Sequence, residues 1–447
     1  MLHYGRSLTT ANLRRINSVK ITVGEEHVIV RGIRPEEELW GSYQFPIPHR
    51  DEDGILVSVH VAQDNIAAFG DRLWFKSTDD GRTWHEVPPS AGQRCGLVIP
   101  NGDRIAFPQE PAIDVSAYRQ EDWHYYTPDY DFSVRAAEGT LPLPDGMTYW
   151  LDGTVIKAYR ADRLPPSLSG STWTMHRTPV GQTEPVTEQV PVDWPDLTRV
   201  VFTKTFPGTL KSIYPQGTPK VAPDGSVWIT AYSGEGHIAP ATGQYSPYYS
   251  AEIFRSDDNC RSFHRQAHME YEADGHRYPY QSGGFSDSDF AFFPDGSVVW
   301  FLRSTWAMST GREWDPMYMS RSADGGQTWS DPIPFAHTGI YPRLCTLGCG
   351  AVLLCYARPG IFVQGCDDGH GLVWSDPVTV MTPDDRSGLA NVPIDKPLFH
   401  EWDGGCNNPT MLPLDDHSAL LFYSDFYYPD EQGIKRKTIL CRKLTVE

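Results

Sequence analysis

The sequence predicts an all-β fold of short antiparallel strands repeated along one chain, and three observations predict it. Gly and Pro contribute 39 and 37 of the 447 residues and are spread from end to end, which leaves little room for long helices. A short strand, a turn rich in Asp and Gly, and a second strand ending in aromatic or charged residues recur seven times. The recurrences open at positions 44, 94, 148, 214, 285, 341 and 407, between 50 and 71 residues apart, and no interval stands out as a domain linker. A repeat in this range, with room for four strands, is the pattern of a β-propeller, whose sheets pack face to face around a central channel.

In chain order, Gln44 to His60 turns at Asp53-Gly54, and Arg94 to Gln109 at Asn101-Gly102. Thr148 to Arg160 turns at Asp152-Gly153; it is the weakest unit, because it reads equally well as an outer hairpin of an enlarged second blade. Tyr214 to Tyr232 turns at Asp224-Gly225, Phe285 to Arg303 at Asp295-Gly296, Tyr341 to Arg358 at Gly348 to Gly350, and Asn407 to Asp425 at Asp415-Asp416. Seven blades are expected, with six as the alternative. The ring must close, and Ser18 to Gly32 reads as an antiparallel hairpin that completes the blade ending in Lys435 to Val446. Residues 1–17 are therefore expected as an N-terminal extension and 18–447 as one propeller, carrying a long aromatic loop at 110–132.

Composition narrows the function. With 38 Lys+Arg against 57 Asp+Glu the formal charge is −19, the wrong sign for a general binder of nucleic-acid phosphates. A hydrophobic fraction of 40%, including 14 Trp, 22 Tyr and 19 Phe, supplies a large core and excludes disorder as a description of the whole. The 8 cysteines include no Cys-x-x-Cys and match no zinc spacing, so they read as reduced, buried thiols, and neither metal nor cofactor is expected. No stretch is long and apolar enough to span a bilayer, and the first twenty residues lack a secretory apolar run. The expected protein is soluble and cytoplasmic, with an oligosaccharide or polysaccharide as its partner for the reasons that follow.

A second motif follows several hairpins. Ser77-Thr-Asp79-Asp-Gly81-Arg-Thr83-Trp84 and Ser322-Ala-Asp324-Gly-Gly326-Gln-Thr328-Trp329 share the pattern Ser-x-Asp-x-Gly-x-Thr-Trp at every position. A degenerate copy runs from Ser256 to Phe263, and a more distorted one includes Asp367, Asp368, Gly369 and Trp374. The Asp carboxylate can accept turn N–H groups, the Gly supplies positive φ, and the Trp can plug the gap between sheets. This motif resembles the Asp-box of the sialidase (neuraminidase, BNR-repeat) superfamily, and the resemblance runs from about residue 18 to the end. It implies a propeller and a carbohydrate ligand. That superfamily includes sialidases, other exo-glycosidases, polysaccharide lyases and non-catalytic modules, so fold alone does not choose the activity.

In a propeller the start of the first strand and the end of the second reach the face opposite the hairpin turn. That rule selects Gln44, His60, Arg94, Tyr214, Glu235, His237, Asp287, Asp289, Arg303, Trp306, Tyr341, Arg343, Arg358, Asn407 and Asn408, with Asp64 just beyond His60. Converging arginines are costly unless an anion or carboxylates neutralise them, which makes Arg94, Arg303, Arg343 and Arg358 candidate clamps for a ligand carboxylate or sulfate. Trp306, Tyr214 and Asn407 complete the candidate sugar-binding set, and the aromatic loop, with Tyr118, Trp123 and Tyr125, reads as a lid or stacking platform. His60 and His237 are candidate bases for abstracting the proton beside a uronate carboxylate, with Asp287 a further candidate acid or base.

The resemblance adds roles. It implies a Tyr nucleophile in Tyr341-Pro342-Arg343-Leu344, a partner Glu at Glu235, and a loop acid/base at Asp64 or Asp71. It also exposes a departure: where the sialidases open their first blade with an Arg, this chain reads Gln44-Phe45-Pro46-Ile47-Pro48. The expected function is a sialidase-like exo-glycoside hydrolase acting on a terminal sugar of an anionic or uronate-containing oligosaccharide. A uronate lyase and a non-catalytic glycan-binding propeller are the alternatives.

Overall fold

The computed structural model describes residues 19–32, 43–60, 72–90, 95–108, 113–114, 156–160, 172–193, 200–204, 209–211, 215, 217–232, 237–238, 245–246, 250–271, 284–304, 316–336, 339–357, 360–381 and 406–447. Among these the structure is all β, built mainly from four-stranded antiparallel sheets. The first sheet holds Gln44–Asp51, Gly54–His60, Arg72–Ser77 and His85–Val87. The second holds Leu97–Val98, Arg104–Ala106, Thr172–Thr178 and Val186–Asp193, and the third Lys220–Val221, Val227–Tyr232, Ala251–Ser256 and Phe263–Met269. Their outermost strands join through a short parallel pairing, Val192 with Phe263 and Asp193 with His264.

The fourth sheet is Phe285–Phe292, Val298–Ser304, Met317–Ser322 and Ile333–Ala336, and the fifth Ile340–Thr346, Val352–Ala357, Ile361–Cys366 and Val378–Met381. The sixth takes Cys406–Asp415, Ser418–Pro429 and Lys435–Val446 from one end of the chain and Ile21–Arg31 from the other. The N-terminal segment thus joins the last sheet as one long strand and not as the expected hairpin. Ile21–Arg31 follows Lys435–Val446 along its length and absorbs its extra residues as irregularities between Val23 and Glu26 and between Val28 and Val30.

Of the weak unit at 148–160 only Ile156–Arg160 lies among the described residues. Ile156–Arg160 pairs with Val200–Lys204 in a separate sheet that Thr209–Lys211 and Ile113–Asp114 complete. The rest of the 110–132 loop lies outside the described residues.

The sheets stack through their faces. Apolar clusters join the second to the third sheet (Trp173, Ile229, Phe254), the third to the fourth (Trp228, Ile253, Trp300) and the fourth to the fifth (Phe301, Val299, Leu354). Two more join the fifth to the sixth (Leu353, Val363, Leu421) and the sixth to the first (Phe422, Ile439, Val57). This explains why a strand such as Val298–Ser304 is an almost unbroken apolar run: both of its faces lie between sheets.

The repeated Ser-x-Asp motif closes the turn between third and fourth strands. Asp79 Oδ1 accepts the backbone N–H of Arg82 and Thr83 at 3.1 and 2.9 Å, its Oδ2 accepts the Thr83 hydroxyl at 2.7 Å, and Trp84 Nε1 donates to Gly81 O at 2.9 Å. Asp324 repeats the set with Gln327, Thr328 and Trp329, and Asp258 repeats the carboxylate bonds with Arg261 and Ser262. In the distorted copy Asp368 is the carboxylate and Cys366 occupies the Ser position, its thiol 3.2 Å from Asp368 Oδ1. Each aromatic then packs on the preceding sheet or on its seam: Trp84 meets Phe422, Trp374 meets Phe301, and Trp329 meets Trp300 beside the third-sheet Trp228. Gly326 is required at its position, since it has φ +85° and a Cβ would lie 2.3 Å from Trp228 Cη2.

Cys95, Cys260, Cys345, Cys349, Cys355, Cys366 and Cys441 are free thiols. Burial pushes Cys260, Cys345, Cys366 and Cys441 up to about 12, which makes them inert packing groups.

Candidate functional site

Four inner strands open with the same irregularity. The pairings Gln44 with His60, Phe285 with Ser304, Ile340 with Ala357 and Asn407 with Ser424 are each followed by a register shift before regular pairing resumes at Ile47, Ser288, Arg343 and Thr410. The extra residues re-aim the side chains at the strand opening. Phe45, Tyr341 and Asn408 hold equivalent places with φ of 49°, 52° and 57°, each immediately before a proline (Pro46, Pro342, Pro409). Ser286 holds the same place in the fourth sheet, followed by Asp287. Non-glycine residues at positive φ cost energy and cluster where function demands them.

Around Tyr341 these openings form a polar site. The Arg343 guanidinium lies 3.7 Å from the Tyr341 ring centre, and Arg343 Nη1 donates to Pro342 O at 2.8 Å. The Phe45 ring stands edge-on 5.9 Å from Tyr341 and also 5.9 Å from the His60 ring. Asp287, buried, forms an ion pair with Arg303 Nη1. Arg72 donates to Ser58 Oγ at 3.1 Å and pairs in register with His60. Burial raises the Tyr341 hydroxyl above the ordinary phenol range and Asp287 adds to this, while Arg343 and Arg72 favour the phenolate. Burial works against the charge on Arg343, but Tyr341, Asp289 and Asp287 outweigh it and hold its pKa up.

Beneath the site Asp289 has a different task. Its Oδ1 meets Lys220 Nζ at 2.7 Å and its Oδ2 accepts Leu344 N–H at 2.7 Å, tying third, fourth and fifth sheets together just below Arg343. On the other side Asn408 Nδ2 donates to Gln44 Oε1 at 3.0 Å across the seam between sixth and first sheets.

Of the residues selected from sequence, the structure brings together Tyr341, Arg343, Asp287, Arg303 and His60, with Gln44 and Asn408 at the edge. Arg303 is engaged with Asp287, so the pair enters the site largely self-neutralised. The side chains of Asn407 and His237 lie outside the described residues. Glu235, Asp64, Arg94, Arg358, Trp306 and Tyr214 fall outside the described residues. Arg72 was missed because the search covered first and second strands only; the third strand opens on the same face, and the register of Arg72 with His60 follows from that. The signal for Phe45 was also present, as the repeated residue-before-proline at a strand opening. Among the described residues no group of three or more His, Cys, Asp or Glu could hold a metal ion.

Four-stranded sheets stacked face to face, one of them pairing strands from both ends of the chain, with a polar site where inner strands open, define an all-β class consistent with a propeller. No family model and no curated protein matches the sequence. Among solved structures it is similar to a protein of unknown function from Dyadobacter fermentans, at 16% identity over 96% of this chain and 99% of that one, with a TM-score of 0.55. Its structural neighbours also include sialidases and arabinanases. A Trypanosoma rangeli sialidase in complex with sialic acid is 10% identical over 96% of this chain and 58% of its own, with a TM-score of 0.40. A Penicillium chrysogenum α-L-arabinanase complexed with arabinobiose is 12% identical over 94% of this chain and 98% of its own, with a TM-score of 0.42. At these identities the likeness is one of fold.

Proposed function

We propose that the protein is a glycoside hydrolase that removes a terminal sugar from an anionic or uronate-containing oligosaccharide, in the channel mouth of a six-bladed propeller. Six blades follow from taking the six stacked sheets as the ring and the sheet containing Ile156–Arg160 as an addition to it. One observation carries the functional reading: Arg343 and Arg72 both act on the Tyr341 hydroxyl, beside an Asp287 that pairs with Arg303 and an Asp289 that meets Lys220. Two guanidinium groups converging on one hydroxyl in a chain of net charge −19 suit an anionic ligand.

In this reading Arg343 and Arg72 hold the ligand anion, and Tyr341 attacks the anomeric carbon with its hydroxyl proton passing to Glu235. Asp64 protonates the departing oxygen, and water then releases the sugar from Tyr341. The free thiols fit a reducing, cytoplasmic setting, which is part of the proposal. The test is turnover of methylumbelliferyl glycosides of N-acetylneuraminic and glucuronic acids, with product analysis of uronate oligosaccharides. Release of the fluorophore without an ultraviolet-absorbing unsaturated sugar is expected. An unsaturated product instead would move the assignment to elimination with His60 or His237 as base, and binding without turnover would make the protein a glycan-binding module.

A further inference from the structure

Gln44 opens the inner strand of the first sheet and is only 1% exposed. Its side-chain oxygen accepts the Asn408 amide, and the nitrogen points elsewhere. That nitrogen is buried and has no hydrogen-bond partner among the described residues. The hydroxyl of Ser286, at the matching strand opening of the fourth sheet, is in the same condition. Buried polar groups are nearly always satisfied, so exceptions at two strand openings beside Tyr341 ask for a partner from outside the fold. The two sit on either side of Tyr341 in the ring: Ser286 on the preceding sheet, Gln44 next to Phe45, whose ring meets that of Tyr341. A carboxamide and a hydroxyl are neutral. They suit hydroxyl or carbonyl oxygens, whereas a ligand anion suits the guanidinium groups of Arg343 and Arg72.

We propose that the Gln44 side-chain nitrogen donates a hydrogen bond to an uncharged oxygen, a hydroxyl or amide carbonyl, of the sugar held at Tyr341, and so decides which sugars the site accepts. This rests on the glycosidase reading and adds the neutral half of its substrate recognition. Asn408 is the positioning residue, since it fixes the amide without touching the sugar.

Two variants separate donor from bulk: Gln44→Glu keeps the length and the oxygen that receives Asn408 but, once ionised, has no donor, and Gln44→Leu removes both groups. Binding of D-glucuronate and N-acetylneuraminate is followed by saturation-transfer NMR, and kcat/KM is measured on their methylumbelliferyl glycosides and on analogues lacking one hydroxyl or the N-acetyl group. Both variants should lose about tenfold in kcat/KM with melting unchanged for Gln44→Glu. One analogue should lose a similar factor with wild type and nothing further with Gln44→Leu, the non-additivity that marks a direct contact. Should Gln44→Leu fold poorly, Gln44→Glu against the same analogue decides. Wild-type binding and turnover with unchanged Gln44→Glu, or losses that simply add, overturn the Gln44 role and leave the glycosidase reading standing. Failure of the wild type to bind either sugar overturns both.

Discussion

The Arg343 guanidinium sits 3.7 Å from the centre of the Tyr341 ring, well inside the distance of about 6 Å at which a cation feels an aromatic face. The contact exists because a bulge turns Tyr341 back over the residue two places along the same strand. It places positive charge against the oxygen-bearing ring that the proposed chemistry must activate.

Tyr341→Phe keeps the ring, the bulge and the stacked guanidinium and removes only the hydroxyl. Turnover should fall by at least about 100-fold while KM and melting change little, because the lost group acts in the chemical step. Steady-state kinetics beside thermal melting checks this, and near-native turnover would remove Tyr341 from the reacting centre.

The turn carboxylates make acid stability a specific expectation. The hydroxyl and N–H of Thr83 hold Asp79 down to about 2 from 3.8, and similar bonds depress Asp324 and Asp258, against burial in the case of Asp258. Groups whose folded pKa is depressed stabilise fully above the unfolded value, and that contribution is lost as pH falls towards the folded one. Stability to urea should therefore drop between pH 4 and about 2, and Asp79→Asn should be less stable at neutral pH with a shallower acid decline.

His268 predicts the opposite limb. Its Nδ1 meets the buried Glu252 at 2.7 Å and its Nε2 meets Glu270 at 3.3 Å. Burial opposes the imidazolium, yet the two carboxylates prevail and raise its pKa to about 9 from 6.5. Stability from this cluster is complete below 6.5 and is lost as pH rises through 9. His268→Gln should flatten that alkaline decline, and an unchanged profile would show that the pair contributes nothing.

Trp329→Ala tests the seam between third and fourth sheets. The indole is half-buried, meets Trp300 at 5.3 Å and donates to Gly326 O at 3.2 Å. The loss should be about 3 kcal/mol by urea denaturation, with turnover preserved under conditions where the variant is folded.

Asp295 marks the face away from the site. It accepts Ser297, His370 and Arg321 at the turn between first and second strands, where burial opposes its charge but these bonds hold its pKa near 2. Asp295→Asn should lower stability at neutral pH and leave kcat and KM unchanged. A folded variant with lost turnover would mean that the two faces have been assigned the wrong way round.

The repeat, the turns and the plug aromatics were readable in the sequence because their physics is local. The Asp79 carboxylate and the N–H groups it accepts lie within four residues of one another, and so do the matching groups of Asp324. The candidate polar residues at strand openings were readable for the same reason, through the alternation of strand and turn. Which of them meet was decided only by the register and stacking of the sheets. Gln44 and Asn408 touch across 364 residues, and Leu344 is bonded to Asp289 across 55. Register alone made Arg72 a neighbour of His60, committed Arg303 to Asp287, and drew Ile156–Arg160 into a sheet of its own. Local hydrogen bonds write themselves into short spacings, whereas a site assembled from bulged strands of different sheets depends on pairings that no short spacing records.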